Sequence, residues 1–283
     1  MSSTNDDHLD AAGAARLLEA GAAARARADS AVDYRTLARM QFGIAGSMFI
    51  YLSAFLLLVG NQQQSAAPTG STSGFSYSVV LLIPFLVLSQ LVMGASARSR
   101  VLRTHRRLLV ITLVALVPFG VVGVLNLLGV SYPWGINLLV AAAPATPLIW
   151  QGGMLARRAG PTPPRAPRTP LNRPARIMTG CLGLYFGLTG MLAAFSWFAL
   201  AGLGLMLALV ALLTLASSRW GLPSLGSDWR SPEWNGFAAS FILLVTLAVV
   251  LARTDWNTPL AGVVGGVLVA APLVVAAIRG ARS

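Results

Sequence analysis

The chain has 283 residues, of which 55% are apolar and only 11% charged, with a mean hydropathy of +0.69. A soluble domain carries about 25% charged residues, so this composition excludes an ordinary water-soluble fold and points to a membrane protein. The net charge of +12 falls in short clusters between long apolar runs, with no helix-turn-helix, zinc-finger or aromatic RNA-binding pattern beside them. It therefore reads as a topology signal and not as a nucleic-acid surface.

Residues 1–41 read as a cytosolic, Ala/Arg-rich helical tail. About 40 residues precede the first long apolar run, too long a lead for a secretory signal. Asp10 is placed to cap a helix through the alanine-rich stretch that follows. Leu9, Leu17, Leu18, Val32 and Leu37 give it only a weak apolar stripe, which leaves open whether it lies on the inner membrane face or projects into the cytosol.

A bilayer core of about 30 Å takes about 20 apolar residues per spanning helix. Eight segments fit: 42–60, 78–97, 108–128, 134–156, 178–196, 199–217, 236–252 and 259–278, and none contains Asp, Glu, Lys, Arg or His. The fifth and sixth belong to one unbroken apolar run, Ile177 to Ala216. As a single helix it would be about 60 Å long, twice the bilayer core, so a hairpin turning near Trp197 is expected. The fold class is thus all-α, a polytopic bundle of eight spans. Spans 1–4 occupy 42–156, an Arg/Pro-rich linker 157–177, and spans 5–8 the segment 178–283.

All the basic residues are arginine, the mark of a GC-rich genome. With the N-terminus inside, every arginine except Arg253 falls on the cytoplasmic side, a strong positive-inside bias. Merging spans five and six would throw Arg219, Arg230, Arg279 and Arg282 to the wrong face. Both termini are therefore expected inside, in a bacterial plasma membrane. The uncharged segment 61–77 reads as a flexible outer loop. The linker RRAGPTPPRAPRTPLNRPAR, 157–176, reads as a solvated hinge, its prolines favouring an extended spacer. Tyr132, Trp134, Trp150, Trp220, Trp229, Trp234 and Trp256 lie near span ends as an interfacial aromatic belt. Cys181, the lone cysteine, reads as a small packing residue.

Two stretches at the starts of spans one and five resemble each other, as an internal repeat would. Ala38-Arg39 is followed by Gly43, Gly46 and Phe49, and Ala175-Arg176 by Gly180, Gly183 and Phe186, both A-R-x3-G-x2-G-x2-F. The closing span of each half carries Ala-Pro, at Ala143-Pro144 and Ala271-Pro272. With four spans in each half the repeat would be parallel, a 4+4 arrangement of the kind found in transporter folds. Chance matches of Ala, Gly and Phe are the competing explanation.

The residues that carry chemistry are sparse. His8 and His105 have no partner at ligand spacing, all nine acids lie outside the spans, and no catalytic, metal-binding or cofactor-binding constellation is visible. Asp228 and Glu233 in SDWRSPEWNG suit a cation or solute at the inner face, but pairing with Arg219 and Arg230 is the commoner use. Intramembrane polar groups carry more information. Asn126, Asn137, Thr146 and Gln151, with the helix-kinking Pro144, suit a path for a neutral or cationic solute; hydrogen bonding between helices is the competing use. Gly183 with Gly187, and Gly262 with Gly266, form two GxxxG pairs that allow close helix packing. The inner arginine clusters are expected to attract anionic lipid.

In its layout, an Ala/Arg-rich cytosolic helix leading into an apolar bundle without lysine, the chain resembles uncharacterised multi-pass membrane proteins of high-GC actinobacteria. That resemblance implies a plasma-membrane location and no activity. Two functional classes remain: a small-solute transporter or permease-like subunit, and a non-catalytic anchor or accessory partner, of a regulator or sensor for example, with a homo-oligomer or another membrane protein as its companion. No ionisable residue lies within a span to carry a coupling proton, which disfavours proton coupling.

Overall fold

The computed structural model describes residues 16, 18–21, 33–59, 74–98, 106–128, 130, 132–160 and 170–280. Among these the chain is all-helical. Its helices are α1 (Tyr34–Val59), α2 (Gly74–Arg98), α3 (Arg106–Leu127), α4 (Gly135–Arg158), α5 (Arg173–Leu192), α6 (Phe198–Thr214), a short α7 (Leu222–Asp228), α8 (Ser231–Arg253) and α9 (Pro259–Arg279). Six of them, α1, α2, α4, α5, α8 and α9, are long and apolar enough to cross a membrane. The shorter apolar stretches Val110–Asn126 of α3 and Leu200–Thr214 of α6 span about 25 Å or less at 1.5 Å per residue. Backbone groups in lipid must be paired within the segment, which is why these Leu-, Val- and Ala-rich runs are helices throughout.

Each of the eight expected segments is a helix, but the ends differ from expectation. α2 begins at Gly74, inside the expected outer loop, because Tyr77 is buried and stacks on Phe198 with ring centroids 6.4 Å apart. The expected linker shrinks from both sides. Arg157 and Arg158 end α4, and α5 starts at Arg173, capped by Asn172, whose side chain accepts from Ala175 N at 2.8 Å. Residues 161–169, the middle of that linker, lie outside the described residues, as does Asp10. Its flanks are tied down, Arg35 donating to Gly160 O at 3.2 Å and Leu171 N to Gly280 O at 3.2 Å. α1 is capped instead by Asp33, which accepts from Thr36 N at 3.0 Å and Thr36 Oγ1 at 2.5 Å. Burial raises the Asp33 pKa, but these bonds and the Arg39 charge outweigh it and hold the carboxyl below its ordinary value.

The long apolar run breaks between Leu192 and Phe198, through a turn in which Ala194 N donates to Met191 O and Phe195 N to Leu192 O. The chain then folds back, since Tyr185 of α5 donates to Leu205 O of α6 at 2.7 Å. α7 is the element that composition concealed. Its Gly, Pro and Ser read as part of an inner loop, yet Leu222 and Leu225 are buried and the helix lies against α2. The approach is backbone to backbone: a Cβ on Gly94 would fall 1.7 Å from Pro223 O, and one on Gly226 2.0 Å from Leu91 O. Only glycine permits either contact.

Packing joins the first and last helix of each half. α1 pairs most extensively with α4, and α5 with α9. In the second pair, a Cβ on Gly187 would sit 2.7 Å from Gly266 O and one on Gly266 2.5 Å from Gly187 O. Gly183 meets Ala270 and Leu273, and Gly262 meets Met191 and Ala194, so the two GxxxG stretches run antiparallel against one another. The main core joins α2, α5, α6, α7, α8 and α9 with the C-terminal half of α1; a separate small cluster of Ala45, Ala145 and Leu148 holds α1 to α4. α2 therefore packs with the second half of the chain, so the halves are not two self-contained units.

The ends that meet are consistent along the bundle. The start of α1 meets the end of α4, the start of α5 meets the end of α9 and the end of α7, and the last half of α2 meets α7. At the opposite end Arg253 donates to Leu57 O in the last turn of α1, where a cation suits the unpaired carbonyls of a helix C-terminus. Arg253, the one arginine expected on the outer side, thus has a structural role.

Candidate functional site

The five residues expected to line a solute path do not converge. Asn126 ends α3 and Asn137 begins α4, and Tyr132 in the loop between them joins the two: its hydroxyl lies 2.5 Å from Asn126 Oδ1 and 2.9 Å from Asn137 Oδ1. A phenol has one proton, and Asn126 Nδ2 is otherwise buried without a partner. Both links are satisfied when the Asn126 amide nitrogen donates to Tyr132 and Tyr132 donates to Asn137. Asn137 is only 2% exposed, so the cluster closes the α3–α4 turn at one end of the bundle. Burial raises the Tyr132 pKa above its ordinary value.

Thr146 is exposed and donates to Ala142 O of its own helix at 2.9 Å. Pro144 is buried in α4 beside Ala145 of the small α1–α4 cluster. Gln151 differs from the others, because its Oε1 is sealed from solvent with no hydrogen-bond partner among the described residues. Gln41 Oε1 on α1 is in the same condition. The Phe42 ring lies 3.1 Å from where a Gly152 Cβ would stand, which puts Gln41 and Gln151 at the same depth on facing helices. Gln41 lies just before the first apolar segment, outside the spans read from the sequence.

A second polar cluster sits where α5, α7 and α8 meet. Asn172 donates to Asp228 Oδ2 at 2.7 Å, Trp229 Nε1 to Thr179 Oγ1 at 2.9 Å, and Arg230 N to Glu233 Oε2 at 2.9 Å. Asp228 and Glu233 thus have short-range structural partners, Glu233 as the buried N-terminal cap of α8. Trp229 departs from the expected belt. It is 4% exposed, edge-on to the half-buried Trp234 at 5.3 Å and tilted against Phe237 at 5.8 Å. Trp134, Trp150, Trp220 and Trp256 are exposed, as interfacial rings are. Its burial could have been anticipated from SDWRSPEW, where flanking polar residues can satisfy an indole N–H.

One shallow cleft of about 500 Å³ is lined by Arg176, Ile177, Gly180, Cys181, Leu184, Val274, Ala277 and Ile278. It lies on the outer side of α5 and α9 and includes none of the five candidate path residues. Cys181 is exposed there and is not a packing residue. Among the described residues no group of three His, Cys, Asp or Glu side chains could hold a metal ion. The chain matches no protein-family model, no curated protein and no solved structure. Function has to be read from the side chains themselves.

Proposed function

We propose that this protein is an eight-span bacterial plasma-membrane protein with both termini cytoplasmic, acting as a non-catalytic accessory or anchoring subunit for another membrane protein. The observation that carries the accessory role is the apolar interior. The core between α2, α5, α6, α8 and α9 is mostly Leu, Val, Phe and Ala, and Asn126, Asn137, Thr179, Trp229 and Glu233 bond to groups of the chain itself. Support for the orientation comes from the arginines: the helix ends carrying Arg35, Arg157, Arg173 and Arg279 meet one another, whereas Arg253 lies at the far end with Leu57.

One observation favours the transport reading. The partnerless amide oxygens of Gln41 and Gln151 are the kind of ligand a solute or Na⁺ path without buried charge would use. Reconstitution separates the two. As an accessory subunit, the chain migrates from native membranes in a stoichiometric complex, its loss lowers the partner's abundance, and proteoliposomes of the pure chain show no solute flux. Flux by the pure protein that Gln41→Ala and Gln151→Ala abolish, without loss of melting temperature, overturns the accessory role in favour of transport.

Orientation is tested in a Cys181→Ala background. A membrane-impermeant thiol reagent on intact cells should label a cysteine at exposed Thr254 and leave one at exposed Ser231 unmodified. Labelling at 231 overturns the eight-span arrangement.

A further inference from the structure

The cleft between α5 and α9 is built for something other than a solute. Its floor is made of missing side chains: a Cβ on Gly180 would meet nothing closer than Ala277 Cβ at 3.9 Å, and Cys181 and Ala277 are themselves small. Its walls, Ile177, Leu184, Val274 and Ile278, are aliphatic. The tight contacts of Gly183 and Gly187 lie about one and two turns further along α5, so the helices that touch there part toward Gly180. The only charged group on the lining is Arg176. Among the described residues its guanidinium takes no hydrogen-bond or ion-pair partner. Arg173 and Arg279, both exposed, lie at the same end, where Leu171 N bonds Gly280 O.

We infer that this groove binds an anionic phospholipid, one acyl chain lying along Gly180 and Cys181 and the headgroup phosphate meeting Arg176. An open aliphatic trough on a membrane-facing surface takes an acyl chain in preference to water. A cationic rim at one end of the trough selects a negative headgroup. A soluble phosphate would have nothing to place in the trough, and an uncharged lipid would leave Arg176 unanswered.

The test uses the full chain, purified and delipidated, then returned to nanodiscs with equal phosphatidylglycerol and phosphatidylcholine, with native mass spectrometry counting the lipids that remain bound. The wild type should keep phosphatidylglycerol preferentially. Gly180→Leu, which fills the trough, should abolish retention of the bound lipid, while Gly43→Leu, at a glycine with nothing within 4 Å of its Cβ position, should not. Arg176→Gln should lower the phosphatidylglycerol preference about fivefold, the effect of one arginine at a membrane surface. Unchanged retention in Gly180→Leu, equal loss in Gly43→Leu, or an unchanged headgroup preference in Arg176→Gln overturns the proposal. The last comparison decides the matter even where Gly180→Leu fails to fold.

Discussion

The α1–α4 and α5–α9 pairs occupy equivalent places in the two halves of the chain, and they are held in opposite ways. In α5–α9, Gly187 and Gly266 each bring their Cα against the other's carbonyl, a spacing at which weak Cα–H···O bonds and dispersion act over the whole contact. In α1–α4 the buried contacts are Ala45 with Ala145 and Leu148, and Phe42 over Gly152. Gly43 and Gly46, the motif glycines of α1, face open space. The amide oxygens of Gln41 and Gln151, next to Phe42 and Gly152, are buried with no partner among the described residues. One pair is closed by backbone contact, whereas the other leaves room and leaves polar groups unanswered. Any motion this protein makes is expected at α1–α4.

The largest effect that would break this contrast is at the glycine contact itself. Gly187→Leu would place a branched side chain where a single Cβ already stands 2.7 Å from Ala270 Cβ and Gly266 O. Helices α5 and α9 must separate, at a cost of about 3 kcal/mol or more. Fluorescence-detected size-exclusion should show loss of the monodisperse species, while Gly43→Leu keeps it.

Next in size is Trp229→Phe, which keeps a ring on Phe237 but deletes the buried N–H that reaches Thr179. It should cost about 1–2 kcal/mol, read as a lower melting temperature in detergent. A change confined to partner binding, with melting intact, would assign Trp229 to an interface.

The Asn126–Tyr132–Asn137 cluster should behave as structure and not as a solute path. Asn137→Ala is expected to destabilise by about 1 kcal/mol by stranding the Tyr132 hydroxyl. The cluster also has a pH signature. Because the folded-state Tyr132 pKa is raised by burial, its contribution is present up to the ordinary tyrosine value of 10.0 and is lost as pH rises toward the folded value. Tyr132→Phe should flatten that alkaline loss. An unaltered alkaline profile in Tyr132→Phe would place the titrating group elsewhere.

How much of this was legible in the sequence follows from what lipid does to the signal. Segments such as 236–252 and 259–278 announce themselves because a spanning helix must be apolar from end to end, and the break near Trp197 was forced by the length of the run between Ile177 and Ala216. The faces of those helices were not legible. Leu205 is buried and Leu207 is 71% exposed, yet in a bilayer both are leucine against hydrocarbon, so no amphipathic stripe tells core from lipid. For the same reason Cys181 looked like a packing residue and lies outside. The short α7 was hidden by its Gly, Pro and Ser, which read as loop unless one knows that Gly94 and Gly226 let two backbones touch. Among the candidate path residues, composition identified the polar groups but not their partners, because Tyr132 joins Asn126 and Asn137 only after the α3–α4 turn has formed.

The smallest effect and the most direct test belong together, at matched positions of the repeated A-R-x3-G-x2-G-x2-F stretch. Gly46 has nothing within 4 Å of its Cβ position, whereas a Cβ on Gly183 would meet Leu273 Cβ at 2.8 Å and Ala270 O at 3.1 Å. The decisive measurement is the melting temperature of Gly46→Ala and of Gly183→Ala in the same nanodisc. Gly46→Ala should melt at or slightly above wild type, since alanine in a helix is favoured over glycine by up to about 1 kcal/mol, while Gly183→Ala should melt lower by the equivalent of about 1–3 kcal/mol. Equal shifts, or a greater loss at Gly46, would contradict the division between a fixed α5–α9 pair and a looser α1–α4 pair.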